Sequence, residues 1–263
     1  MADSRVIIKA SNITQSFQIG DELVTPIRDA NFELLESSFN IIYGPSGSGK
    51  STLLNILTGL QRPTTGTITF DDRDVYQLTP DELAFYRATR LGIVYQTNYW
   101  VQSLNAVENV SLPLYFLGYD RARAAEVAMY ALEQVEMQSY AKKYPTLLSG
   151  GEQQRIAMAR ALASSPLFII ADEPTGSLDS TNGDKIMNIL RNAQKDSSRT
   201  IILVTHNMEY LPLADHLIHI EDGHVEVLRH ESIKKATDEL FMQMQQRIAR
   251  YNAGKPVMEE ATP

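Results

Sequence analysis

Gly44-Pro45-Ser46-Gly47-Ser48-Gly49-Lys50-Ser51-Thr52 follows directly on the apolar run Phe39-Asn40-Ile41-Ile42-Tyr43 and runs into the helix-like stretch Ser51 to Gly59. Strand, glycine-rich turn and helix in that order make a phosphate-binding loop, and the pattern Gly-x-x-x-x-Gly-Lys-Ser is complete from Gly44 to Ser51. The glycines let the backbone curl until successive N–H groups point at phosphate oxygens, and the helix behind adds its positive end. In such a loop Lys50 sits between the β- and γ-phosphates and the Ser51 hydroxyl reaches Mg²⁺. All nine residues from Gly44 to Thr52 are therefore expected at a nucleotide and Mg²⁺.

Working outward, short apolar runs ending in polar turns recur at Leu167 to Ala171 and Ile201 to Thr205. They read as core strands of an α/β sheet whose carboxyl ends carry the ligand. The first forty residues and Gly66 to Phe70 alternate apolar and polar more loosely, as an antiparallel sheet does. Between Thr97 and Ala163 the pattern is helical, clearest over Ala122 to Glu136, which predicts a helical subdomain inserted into the core.

The bulk properties narrow the function. The 263 residues carry 24 Lys+Arg against 32 Asp+Glu, a formal charge of −8, which speaks against a broad nucleic-acid-binding face. No cysteine is present, so disulfides, thiolate metal sites and thiol nucleophiles are excluded together. No apolar run approaches the roughly 18 residues that span a bilayer, and Met1 to Arg5 lead straight into Val6-Ile7-Ile8 without a signal segment. A soluble, cytoplasmic chain is expected.

Two further motifs carry chemistry. Leu167-Phe168-Ile169-Ile170-Ala171 delivers Asp172-Glu173 to the edge of the site, and Leu148-Ser149-Gly150-Gly151-Glu152 opens a helix read as Glu152 to Ala163, with Ser149 and the Gly151 backbone placed for a second anion. With the phosphate loop, the run Ser149-Gly150-Gly151-Glu152-Gln153-Gln154-Arg155 resembles the ATPase subunit of an ABC transporter, over roughly Val6 to Leu228. The resemblance implies a RecA-like P-loop core spanning 1–228, with a helical subdomain at about 97–163 and a tail at 229–263. It also implies a head-to-tail dimer in which Ser149, Gly150, Gly151 and Glu152 meet the γ-phosphate held by the opposite protomer.

Residue roles follow from the same resemblance. Asp172 holds Mg²⁺, Glu173 is the general base, and Gln96 contacts Mg²⁺ and water at the hinge to the helical subdomain. His206 is the switch histidine at the γ-phosphate, Lys50 assists it, and Asp179 crosses the dimer interface. Phe17 stacks on adenine, with core packing as its rival reading. Tyr99-Trp100 either expose aromatics to a permease or bury them in the helical subdomain.

Ala171 to Asp179, Leu147 to Arg155 and Glu108 to Leu114 look like the LolD, MacB and FtsE branch, which serves lipoprotein release, macrolide and peptide export and cell division. That branch implies a separately encoded MacB-type permease, an extracytoplasmic accessory protein, and a peripheral position at the cytoplasmic face. A regulatory ATPase controlling an extracytoplasmic enzyme needs the same motifs, and a soluble ABC ATPase is a third reading. Three positions depart from the pattern: Glu36-Ser37-Ser38 lacks a glycine, Asp71-Asp72 replaces an Asn-Gly-like turn, and Asn207 stands where aspartate is common. In the tail, Ile233, Leu240, Phe241, Met244 and Ile248 recur at helical spacing, so an amphipathic helix is expected, against its own domain or a partner, ahead of ten disordered residues.

Overall fold

The computed structural model describes residues 5–229 and 231–252. In chain order the strands and helices are β1 (Val6–Ile19), β2 (Glu22–Leu35), β3 (Phe39–Tyr43), α1 (Lys50–Leu57), β4 (Thr65–Phe70), β5 (Arg73–Asp74), α2 (Pro80–Arg90) and β6 (Leu91–Val94). They continue as α3 (Ala106–Phe116), α4 (Arg121–Gln134), α5 (Gly150–Leu162), β7 (Phe168–Asp172), α6 (Ser180–Ser197), β8 (Thr200–Val204), β9 (His216–Glu221), β10 (His224–Arg229) and α7 (Glu231–Asn252), with a 3₁₀ segment at Met208–Leu213.

Two sheets form. β2-β1-β4-β5 is antiparallel, and β10-β9-β3-β8-β7-β6 is parallel except for the β9–β10 hairpin. Alternation along the central strands divides the core in two. Ile41, Ile169, Ala171, Ile201 and Leu203 face the layer containing α3 to α6. Ile42, Phe168, Ile170, Ile202 and Val204 face α1 and the antiparallel sheet. A strand buried on both faces has no polar side, which is why these segments read as unbroken apolar runs.

The departures noted in the sequence have local explanations. Ser37 adopts φ 59, the left-handed region in which a glycine is at ease. Asp71 and Asp72, at φ 51 and 62, form the two-residue turn between β4 and β5; positive φ at both central positions matches the twist of a hairpin. Helix α5 begins at Gly150 instead of Glu152, because Ser149 is its N-cap and the reciprocal Ser149–Glu152 capping box draws both glycines into the first turn.

Helix α7 forms, and its first half packs on its own domain: Ile233 is buried and Leu240 joins the same core. The side chains of Met244 and Ile248, the final ten residues and Met1 to Ser4 lie outside the described residues. Among the described residues no helix is long and apolar enough to cross a membrane.

Candidate nucleotide-binding site

The carboxyl ends of β3, β8, β7 and β6 converge on one cavity of about 370 Å³. Its walls include Ser46, Gly47, Gly49, Lys50, Ser51 and Thr52 from the phosphate loop, Gln96 beyond β6, Asp172 and Glu173 at the end of β7, and His206 beyond β8. The loop is held close to its surroundings: a Cβ on Gly44 would stand 2.1 Å from the Ile220 carbonyl oxygen, and one on Gly49, at φ 110, would stand 2.3 Å from that of Pro26. Neither position has room for a side chain. Lys50 Nζ donates to the carbonyls of Gly44 (2.9 Å) and Pro45 (2.7 Å), which holds the ammonium across the loop. Ser48 Oγ is buried within the loop with no hydrogen-bond partner among the described residues. Pro45 has no N–H to offer a phosphate.

Two carboxylates face the loop in unlike surroundings. Burial, and then the neighbouring Glu173, push the Asp172 carboxyl above its ordinary range, against the opposing pull of Lys50. Glu173 adopts φ 47, a strained conformation for a residue with a side chain, and its N–H donates to the Val204 carbonyl at 2.9 Å. Glu173 Oε2 lies 2.8 Å from His206 Nδ1, without the alignment of a hydrogen bond. The donors suited to a metal are Ser51, Gln96 and Asp172: hydroxyl, amide and carboxylate oxygens, a set matching a hard cation that takes its remaining ligands from phosphate and water. No cluster of three or more His, Cys, Asp or Glu residues able to hold a metal occurs among the described residues.

The other expected site residues stand elsewhere. Phe17 is outside the cavity lining and 37% exposed on β1, opposite Val24, so core packing is not its role. Ser149 and Glu152 are engaged with each other: the Ser149 N–H and hydroxyl donate to Glu152 at 2.7 and 2.9 Å. These bonds, the backbone one foremost, hold the Glu152 carboxyl below its usual range, so Glu152 serves the helix start and offers no donor to an anion. Gly151 abuts Asn182, where a Cβ would stand 2.8 Å from the amide carbon, and Gly150 faces Leu178. Asp179 caps α6, accepting from Asn182 N–H at 2.9 Å. The Ser149–Gly151 helix start and Asp179 thus share one face, apart from this chain's own phosphate cavity.

Sequence reasoning did not single out Pro26 and Val204, which line the cavity from β2 and β8. Nothing in their types marks them; only the close approach of β2 to Gly49 does. Tyr99 and Trp100 part company. Tyr99 is exposed, whereas Trp100 Nε1 donates to Gln153 at 2.9 Å and its ring lies under the Arg160 guanidinium at 4.8 Å.

A phosphate loop, a strand-end Asp-Glu pair and a second glycine helix start on one chain are matched by the family model for ABC transporters over residues 27–176. The chain belongs to the ABC transporter family. It is an ATP-binding and ATP-hydrolysing subunit of that family. An uncharacterised ABC transporter ATP-binding protein from Methanocaldococcus jannaschii, MJ0796, is 39% identical over 88% of this chain and its own whole length. A dimeric structure of MJ0796 in a post-hydrolysis state, bound to ADP and Pi, matches with a TM-score of 0.79 over 85% of this chain and 98% of that one. The lipoprotein-releasing ATP-binding protein LolD of Buchnera aphidicola is 36% identical over 84% of this chain and 97% of itself. The macrolide export ATP-binding/permease protein MacB of Shewanella sp. ANA-3 is 39% identical over 84% of this chain, which spans 33% of that longer protein. The chain thus falls in the MacB- and LolD-like branch.

Proposed function

We propose that this subunit works as a head-to-tail dimer, closing on two ATP molecules and driving a separately encoded permease of the MacB type. One observation carries the reading: the same chain has a phosphate cavity and, outside its lining, the glycine helix start Ser149–Gly151. A second copy with its helix start over the cavity completes each site, and Asp179 beside Leu178 lies on the joining face. The dimeric form of the MJ0796 relative supports this arrangement.

In the closed site the loop N–H groups, Lys50 and Ser51 hold the phosphates. Ser51, Gln96 and Asp172 would hold Mg²⁺, which, when bound, offsets phosphate charge. Glu173 takes a proton from the attacking water as its oxygen bonds to the terminal phosphorus and the bond to the bridging oxygen of ADP breaks. His206 approaches the same phosphate and Phe17 lies against the base. The permease docks in an apolar groove of about 530 Å³ between α2 and α3, where Phe85 and Phe116 are 65% and 85% exposed. Docking there places the subunit at the cytoplasmic face of the membrane, with an extracytoplasmic accessory protein beyond the permease. Domain limits near residues 97, 163 and 228 belong to this reading.

The test is recovery of tagged Glu173→Gln protein from its native membranes with ATP and Mg²⁺. A permease with a large external domain is expected to come with it; soluble partners alone, from intact membranes, refute the permease assignment.

A further inference from the structure

Helix α7 lies beyond the ATPase pattern, yet it reaches the catalytic loops. Ile233 is buried, Thr237 is buried with its hydroxyl donating to the Ile233 carbonyl at 2.7 Å, and Leu240 packs on the main core. Steps of four and three residues put these on one stripe, which fixes the helix against the domain. Phe241 comes next, turned about 100° from Leu240 by the helix geometry. It lines a second cavity, of about 470 Å³, whose other walls include Glu173, Gly176 and Leu178 from the end of β7 and His206 and Met208 from the end of β8.

Glu173 and His206 belong to both cavities, so this pair is a shared wall with nucleotide on one side and Phe241 on the other. Helix α7 packs on the 3₁₀ segment Met208–Leu213, which begins two residues after His206. Buried Tyr210 in that segment and Thr175, on the loop leading to Asp179, both stand against Gly183 of α6, where a Cβ would lie 2.7 Å from the Tyr210 hydroxyl and 3.7 Å from Thr175. The His206 side chain itself is 69% exposed and approaches Glu173 to 2.8 Å.

We infer that Phe241 is a positioning residue for ATP hydrolysis: anchored through Ile233 and Leu240, α7 packs on the Met208–Leu213 segment and places Phe241 in the wall of the cavity that His206 and Glu173 also line, which fixes where both present themselves to the terminal phosphate. This rests on the roles given above to Glu173 and His206. Removing the ring enlarges the space behind the pair and lets the His206 segment settle back, and small displacements of catalytic groups cost rate far more than they cost ground-state binding.

The experiment compares Phe241→Ala, Phe241→Leu, Met242→Ala and His206→Ala in the full chain, measuring kcat and KM for ATP, the affinity for a fluorescent ATP analogue, and Tm. For Phe241→Ala, kcat is expected to fall about tenfold, with KM, analogue affinity and Tm kept. Phe241→Leu should restore most of the rate, and Met242→Ala, at an exposed neighbour, should leave it unchanged. If Phe241→Ala does not fold, the Leu variant decides, with an intermediate kcat at native KM expected. Native kcat in the Phe241 variants, or a loss that follows KM and Tm, overturns the inference. A His206→Ala protein at the native rate would refute the role of His206 itself, whereas a slow His206→Ala beside fully active Phe241 variants refutes only the part assigned to α7.

Discussion

Glu173 Oε2 and His206 Nδ1 approach to 2.8 Å, joining the end of β7 to the end of β8 at the wall of the phosphate cavity. A glutamine at 173 keeps the shape of that junction and removes the carboxylate proposed as the base. Turnover should fall roughly 10²- to 10⁴-fold, the range for losing a general base, while ATP affinity stays native. With ATP and Mg²⁺ the variant should run as a dimer in size-exclusion chromatography. Hydrolysis at the native rate removes Glu173 from the role of base.

Lys50→Ala acts at an earlier step. The ammonium is held over the loop by two carbonyls, and a phosphate is a stronger acceptor than either. Losing a hydrogen bond to a charged group, about 1.5–3 kcal/mol, should weaken ATP binding roughly 10- to 100-fold by titration calorimetry. Unchanged affinity contradicts the phosphate assignment.

Asp172→Asn should make the nucleotide-free protein more stable while abolishing hydrolysis. The raised pKa of Asp172 means that the folded chain favours the protonated carboxyl. Its contribution to stability is fully present at low pH and is lost as pH rises from the ordinary aspartate range through the raised folded value. At neutral pH the charged form is therefore a net cost, which the amide removes. Tm without ATP should rise at neutral pH, and the gain should vanish in acid. A lowered Tm at pH 7 would show that the ionised carboxylate is stabilised in place.

Ser149→Ala breaks the capping box of α5 and should cost about 1 kcal/mol of stability, the typical value for an N-cap. Glu152, held below the usual carboxylate range, contributes stability above the ordinary glutamate pKa and loses it as pH falls through the lowered one. The variant keeps the backbone N–H bond to that carboxylate and loses only the hydroxyl bond, so the stability difference between the native protein and this variant should narrow slightly on acidification. A difference independent of pH, measured by denaturant titration, would place the cost of the substitution outside the box.

Phe116→Ser, at the rim of the groove between α2 and α3, should leave the ATPase rate of the purified subunit unchanged and reduce the amount of permease recovered with it. Surface substitutions of this kind usually move stability by no more than about 0.5 kcal/mol, so melting curves should overlay. Full recovery of permease excludes Phe116 from the docking surface.

The parts legible in the sequence were those in which local chemistry and tertiary position agree. Phe39–Tyr43 was readable because both of its faces are buried, and the loop after it because only glycine fits at Gly44 and Gly49. The starting residue of α5 was less legible: the two glycines look like loop, and the capping box extends the helix over them. The fate of Trp100 depended on Gln153 and Arg160, more than fifty residues away, and its neighbour Tyr99 gives no hint of the difference. Pro26 carries no motif, and the helical spacing that includes Phe241 does not say what the helix packs against. Their places beside the site arise from the packing of β2 and α7, which no local pattern encodes.

Trp100 bonded to Gln153, and the Asn98 and Tyr99 carbonyls accepting from Arg160, clamp the stretch after Gln96 to α5, the helix that starts at Ser149. A shift of Gln96 toward a nucleotide and a swing of Ser149 are then two ends of a single rigid lever. In the proposed dimer, reciprocity gives this a definite meaning: the factor by which nucleotide at Gln96 favours engagement of Ser149 with the neighbouring subunit equals the factor by which that engagement favours the nucleotide. The clamp makes the two sites of a dimer trading partners without their ever touching.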